Sequence, residues 1–278
     1  MTEDLLRFVI EHPEDDTARL RYAQALPSGS PRRRFIILQL QMAWIMSHEG
    51  NADDWDRYYA LMRHARVLLD EHSEELSGYL RGRVQGVDHV VFARGFLERV
   101  TMAPKQFLAA AVTLFSSAPI LALRLSSLHG FDELVRSPYL ARLRALSIGE
   151  QRLGEDGMQM LVGSPHVRDL RWLDVFGCKI GRGGLEALCA SSNLPELRWV
   201  ALGANGFPLP HDCPASYDGD WIYDWCTDPY GTELEARFGY RRWLHFRTQH
   251  SMQWWPPDWQ RFTGGSPEIP KAELDTAT

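Results

Sequence analysis

Residues 143–148 read LRALSI, residues 170–175 read LRWLDV and residues 197–202 read LRWVAL. The three runs start 27 residues apart, and the first, fourth and sixth positions of each are apolar. A polar or small residue follows each run, Gln151, Cys178 or Asn205, with an apolar residue two positions later. Apolar side chains in this pattern predict a short strand with one buried face, and the rest of each period has room for a helix. The sequence therefore predicts three repeated strand-and-helix units.

A unit of this kind cannot bury its apolar face alone, whereas stacked neighbouring units bury it together. Two further strands, at residues 97–102 and 120–125, fit the same pattern with a spacing of 23 residues. We therefore expect an α/β solenoid of about five short parallel strands with helices outside. A buried Cys178 or Asn205 at the turn is expected to bond backbone groups of the adjacent unit. The pattern resembles the leucine-rich repeat.

The first ninety residues have helical character instead. Apolar spacing and turn signals predict five helices, at residues 4–11, 17–25, 33–47, 55–71 and 73–80. A solenoid exposes apolar coil ends and needs a terminal unit with a polar outer face. We therefore predict a helical capping domain at residues 1–92, followed by leucine-rich repeats at residues 93–207.

A family resemblance supports this organisation. Residues 2–23, TEDLLRFVIEHPEDDTARLRYA, and residues 34–41, RFIILQLQ, resemble the repeat-companion domain. That domain precedes leucine-rich repeats in many proteins of planctomycetes and myxobacteria. Residues 94–100, RGFLERV, are similar to the strand that opens the repeats in such proteins. The resemblance implies a bacterial protein with a helical cap and a solenoid, and it brings no activity or catalytic residue. The chain departs from the family at residues 24–27, QALP, where an acidic, Trp-containing helix end is usual.

Side chains between the buried positions of such strands point to the concave face. Trp172 and Trp199 hold the same position in adjacent repeats and are predicted to stack about 5 Å apart. Exposed aromatic residues are typical of binding sites, so we predict a scaffold that binds a protein or peptide there. The alternative is that the carboxy-terminal segment covers the two indoles. The predicted binding residues are Arg99, Arg124, Ser147, Trp172, Asp174, Phe176 and Trp199.

The repeat register is lost after residue 207, yet residues 208–278 hold six of the ten tryptophans. A helix at residues 232–239 and an alternating strand at residues 240–246 predict an aromatic-rich carboxy-terminal cap at residues 208–262. Residues 263–278 are predicted to be a mobile polar tail. An insertion at residues 212–229 mixes aspartates with aromatic residues. It offers an alternative function, in which the protein is an accessory or regulatory partner of an enzyme, in peptide maturation or defence, and contacts the enzyme through this insertion.

Zinc-type ligands occur in the same segment, namely His211, Cys213, Cys226 and His245. They do not form closely spaced pairs, so we predict no metal site and no cofactor. A metal-dependent enzyme built on this segment is the remaining alternative. The sequence has no phosphate-binding glycine loop with its lysine and no metalloprotease helix motif. We therefore predict a protein that is not an enzyme.

Composition and charge restrict the class of partner and the cellular location that we expect. A net charge of −6 disfavours general nucleic-acid binding, which requires a basic face. The sequence has no run of about 18 apolar residues, so we predict no membrane span. The amino terminus has no signal-peptide pattern. The four cysteines do not form a disulfide framework, and Cys178 and Cys189 fall at positions expected to be internal. These features predict a cytoplasmic protein.

Overall fold

A computed structural model of the chain describes residues 2–47, 52–77, 84–206, 229–241, 243, 247–248 and 274. These residues form ten α-helices and an open, mostly parallel sheet, which confirms the predicted α/β class. The chain divides into two compact units. The first consists of Met1–Val100, Ala109–Leu121 and Pro257–Thr278, and the second of Thr101–Leu108 and Ala122–Pro256. The predicted domain boundaries remain predictions. No helix in the described part of the chain is long and apolar enough to cross a membrane.

The amino-terminal part of the first unit is helical where the sequence predicts helices. Asp15 caps the second helix, because its carboxylate accepts a hydrogen bond from the Ala18 N–H at 2.9 Å. The apolar faces of the helices pack into two clusters, one around Ile36 and one around Phe35. The helices are α1 (Thr2–Glu11), α2 (Asp16–Ala25), α3 (Pro31–Ser47), α4 (Ala52–Glu71) and α5 (Ser73–Ser77).

A hairpin follows these helices. Its strands are β1 (His89–Ala93), which the sequence analysis does not predict, and β2 (Phe96–Met102), which it does. The two-residue turn consists of Arg94 and Gly95, which both have positive φ, 51° and 82°. A turn of this kind matches the twist of the two strands. A Cβ atom on Gly95 would lie 2.5 Å from the Ile36 Cα, so the turn packs against α3 only with glycine at this position. Helix α6 (Pro104–Ser117) comes after β2.

The second unit is built from parallel strands that pair in chain order. They are β3 (Ala122–Leu125), β4 (Ala145–Ser147), β5 (Trp172–Asp174), β6 (Trp199–Ala201) and β7 (Arg247–Thr248). The four strands from β3 to β6 lie where the sequence predicts them. The strand predicted at residues 240–246 is wrong at its start, since Tyr240 and Arg241 lie outside any strand. The helices are α7 (Phe131–Val135), α8 (Gly154–Gly163), α9 (Gly181–Ala190) and α10 (Pro229–Phe238).

Hydrogen bonds in the second unit recur with the 27-residue period of the sequence. The Ile148 N–H donates to the Asp174 carbonyl oxygen at 2.7 Å. The equivalent groups 27 residues later, the Val175 N–H and the Ala201 carbonyl oxygen, are 3.1 Å apart. Adjacent repeats are therefore joined in the same way beyond the ends of their strands.

The turn position after each strand also joins adjacent repeats. The Cys178 thiol donates to the Ile148 carbonyl oxygen at 3.4 Å, and the Asn205 amide donates to the Val175 carbonyl oxygen at 2.8 Å. Both side chains are buried, so each satisfies a carbonyl group that has little access to water. The prediction that these two residues bond the neighbouring repeat is confirmed.

Candidate functional site

Strand register places most of the predicted binding residues in two rows on one side of the sheet. In the first row Trp172 lies between Ala145 and Trp199. In the second row, two residues further along each strand, the order is Arg124, Ser147, Asp174 and Ala201. Residues two apart in a strand share a face. We call these two rows the Trp172–Asp174 face.

The indoles of Trp172 and Trp199 stack as the sequence predicts. Their ring centroids are 4.6 Å apart and their planes differ by 8°. Their predicted exposure is wrong, because Trp172 is 0% and Trp199 1% exposed. All three residues of each of β4, β5 and β6 are buried, so both faces of these strands are covered. The alternative that the carboxy-terminal segment covers the indoles concerns residues that lie largely outside the described part of the chain.

Asp174 is a buried carboxylate beside this stack. One of its oxygens accepts a hydrogen bond from the Ser147 hydroxyl at 2.8 Å, and the other accepts from the Phe176 N–H at 3.0 Å. A Cβ atom on Gly149 would lie 2.8 Å from the Asp174 Oδ2, so the carboxylate occupies space that a side chain there would fill. The carboxylate is thus held by a hydroxyl, a backbone amide and close packing.

Burial raises the pKa of Asp174 to about 6, from an ordinary value of 3.8. The hydrogen bonds from Phe176 and Ser147 oppose this rise, as does the positive charge of Arg124. The energetic cost of removing the carboxylate from water therefore exceeds the stabilisation that Phe176, Ser147 and Arg124 provide. Ionised Asp174 is a source of instability in the fold.

This shift predicts a specific pH dependence. From about pH 4 to about pH 6 folded Asp174 keeps a proton that the unfolded chain has lost, so its contribution to stability falls as pH rises and is constant above that range. A shift of about two pKa units corresponds to about 3 kcal/mol. We expect Asp174→Asn, which has the same shape and no charge, to be about 3 kcal/mol more stable than the wild type at pH 7. Urea unfolding from pH 4 to pH 7 measures the difference between the two proteins.

The exposed Asp156 provides the matched control, because Asp156→Asn removes one carboxylate from α8 without uncovering a buried group. Its stability difference from the wild type is expected to stay small and constant over the same pH range. An Asp174→Asn difference that did not change with pH would contradict the raised pKa.

The remaining predicted binding residues occupy different surroundings. Arg124 is half-buried and is the accessible residue of the Trp172–Asp174 face, and the half-buried Phe176 lies just beyond the end of β5. Ser147 is buried, and its hydroxyl is used by Asp174. Arg99 lies in β2 within the first unit and is half-buried there.

The sequence analysis missed a buried cluster of four charges in the first unit. Glu98 Oε1 lies 2.8 Å from both the Arg19 Nη2 and the Arg94 Nε, and the Arg94 Nη1 lies 3.0 Å from the Asp16 Oδ1. All four residues are buried. The signal was the position of Glu98, which lies between Phe96 and Val100 in the alternation of a strongly apolar strand.

The pKa values of the two arginines of this cluster shift in opposite directions. Burial and the charge of Arg94 lower the pKa of Arg19 to about 10. Burial also acts to lower the pKa of Arg94, but the charges of Glu98 and Asp16 outweigh it and raise the pKa. Both side chains are therefore cationic at neutral pH. Two positive and two negative charges balance, and the cluster joins α2 to the hairpin.

The weak metal candidates His211, Cys213, Cys226 and His245 all lie outside the described residues. Within the described ranges no group of three or more His, Cys, Asp or Glu residues is placed to hold a metal ion. Cys178 and Cys189 are buried as predicted, and burial raises the pKa of each thiol to about 12. Both are protonated at neutral pH, a form that neither attacks a substrate nor binds a metal well.

No protein-family model, curated protein or solved structure matches this chain. Assignment of a function therefore depends on the geometry of the residues themselves. The most specific combination in the second unit is the pair of stacked indoles beside a buried carboxylate.

Proposed function

We propose that the second unit is a leucine-rich repeat solenoid and that the protein is a non-enzymatic, cytoplasmic scaffold that binds a protein or peptide at the Trp172–Asp174 face. The repeated sequence pattern, the parallel strands and the recurring backbone bonds support the solenoid. Large aromatic side chains are frequent energetic centres of binding surfaces. Repeat scaffolds characteristically bind partners along their inner strands.

Asp174 is the observation that carries this proposal. A sheet position that serves only packing favours an apolar residue, and a charged group that costs stability is typical of a functional position. A lysine or arginine of a partner placed next to Asp174 would favour the ionised carboxylate and offset that cost. The partner that fits is thus a basic peptide segment with an apolar or aromatic side chain to contact the indoles.

Because the indoles are buried, a partner can contact them only by displacing the groups that cover them. Residues of the chain itself cover Trp172 and Trp199, so a partner exchanges these internal contacts for its own. The half-buried Phe176 and Arg124 are then the side chains that a partner meets first. Phe176 is not one of the fully buried core residues, so a polar replacement there removes apolar contact area with less effect on the core than a replacement of either indole.

Selection from a displayed peptide library on the full chain tests this proposal. Selected peptides are expected to be rich in Lys or Arg and in aromatic residues. In calorimetric titrations Phe176→Ser is expected to weaken their binding at least about tenfold, which corresponds to about 1.4 kcal/mol. Met160→Ser is the matched control, since Met160 is an exposed apolar residue on α8, and it is expected to leave binding unchanged.

Deletion of residues 212–228 separates this proposal from the alternative of an enzyme partner that contacts the insertion. Peptides that bind the deletion variant normally but fail to bind Phe176→Ser would place the site on the strands. Peptides that bind Phe176→Ser normally and fail to bind the deletion variant would overturn the proposal.

A further inference from the structure

Helix α4 presents an unusual apolar stripe. Trp55, Tyr59 and Met62 are 39%, 49% and 41% exposed, although aromatic and apolar residues of this size are mostly buried. Their spacing of four and then three residues places them on one face of the helix. A neighbouring face is used for packing, because Ala65 and Leu68 are buried against Phe35 of α3. The stripe is therefore additional to the apolar face that holds α4 in the fold.

The spacing of the stripe is that of a coiled-coil seam. Trp55, Tyr59 and Met62 correspond to successive d, a and d positions of a heptad, which lie at the contact between two helices. Asp56 and Arg63 then occupy successive e positions, which lie on one edge of the seam. Both are exposed, and neither makes an ion pair or a hydrogen bond with another residue in the described part of the chain.

We propose that this face of α4 is a self-association surface, paired antiparallel with α4 of a second copy of the chain about a two-fold axis. Asp56 and Arg63 lie equally far from a point between Tyr59 and Ala60. A two-fold axis at that point brings each Asp56 level with Arg63 of the second copy and forms two identical ion pairs. Antiparallel coiled coils pair e positions with e positions, so the two side chains also lie on the same edge.

Charge identifies the second copy as the occupant. The acid lies in the amino-terminal half of the stripe and the base in the carboxy-terminal half, about seven residues or 10 Å away along the helix. A uniformly acidic partner would be repelled at Asp56 and a uniformly basic one at Arg63. Antiparallel pairing with an identical helix matches both charges. The same axis places Arg66 level with Asp53 of the second copy.

Sedimentation equilibrium of the full chain at tens of micromolar tests the apolar part of this surface. We expect concentration-dependent formation of a species of twice the 31.8 kDa of one chain. Tyr59→Ser is expected to weaken the dimer at least about tenfold, because it removes an apolar contact from both copies. Met160→Ser, the matched change on α8, is expected to have no effect. A wild type that stays monomeric, or a dimer unaffected by Tyr59→Ser, overturns the proposal.

Charge reversal tests the antiparallel register and involves only exposed side chains. Asp56→Arg alone and Arg63→Asp alone are each expected to lose self-association, because like charges then face each other across the axis. An equimolar mixture of the two variants is expected to form a mixed dimer, since opposite charges meet again at both ends. Failure of the mixture to associate more strongly than either variant overturns the antiparallel pairing. This test is independent of the function proposed for the second unit.

Discussion

Replacing Trp172 by alanine is expected to lower the free energy of unfolding by about 4 kcal/mol. The indole is fully buried and stacks on Trp199 at 4.6 Å, so its removal leaves a cavity as well as a lost ring contact. Urea unfolding followed by far-ultraviolet circular dichroism measures the loss. The exposed position that the sequence predicts for the two indoles implies instead that stability is nearly unchanged.

Trp55 provides the matched control for this experiment. Its side chain is 39% exposed on α4, so Trp55→Ala is expected to cost much less stability than Trp172→Ala. Measurements at low micromolar concentration keep self-association through α4 from contributing. Equal losses for the two variants would contradict the burial of Trp172 and support the exposed indoles that the sequence predicts.

Glu98→Gln is expected to destabilise the protein by about 4 kcal/mol, because it removes a charge from a buried pair network without changing its shape. Arg19 and Arg94 both contact the same Glu98 oxygen at 2.8 Å, and the substitution leaves them with Asp16 as the remaining carboxylate of the cluster. Two buried guanidinium groups would then carry an uncompensated positive charge. Urea unfolding at pH 7 measures the effect.

Glu186 offers a control with the same chemistry at the surface. It also accepts from two arginines, Arg182 at 2.9 Å and Arg237 at 3.0 Å, but both arginine side chains are more than half exposed. Exposed ion pairs contribute little to stability, so Glu186→Gln is expected to change the unfolding midpoint only slightly. Comparable effects at Glu98 and Glu186 would show that burial does not govern the strength of the cluster.

The repeats were predictable because their signal is local and occurs three times. Alternating apolar residues fix the side of a strand that faces the core, and the period fixes which residues of adjacent strands become neighbours. The stacking of Trp172 on Trp199 follows directly from that period. Their burial does not, because alternation distinguishes two faces of a sheet without showing whether the second face meets water.

The charge cluster of the first unit could not be derived in this way. Asp16 and Arg94 are 78 residues apart in the chain, and their contact depends on how α2 meets the hairpin. Strand β1 was missed because its turn is Arg94-Gly95, and the strongest hairpin signals place Asn or Asp before the glycine. The raised pKa of Asp174 likewise depends on burial that sequence spacing does not reveal.

The backbone bonds that recur every 27 residues also govern how this protein can change in length. Removal of residues 149–175 would join Ile148 to Phe176 and leave Ile148 where Val175 stood, with the same neighbour at Ala201. Loss or gain of any other number of residues between strands has no such equivalence and would require a new loop. The second unit can thus grow or shrink by whole repeats, each of which adds or deletes one rung of the Trp172–Asp174 face. Under the proposed function, the length of the partner segment that this face contacts would change in the same discrete steps.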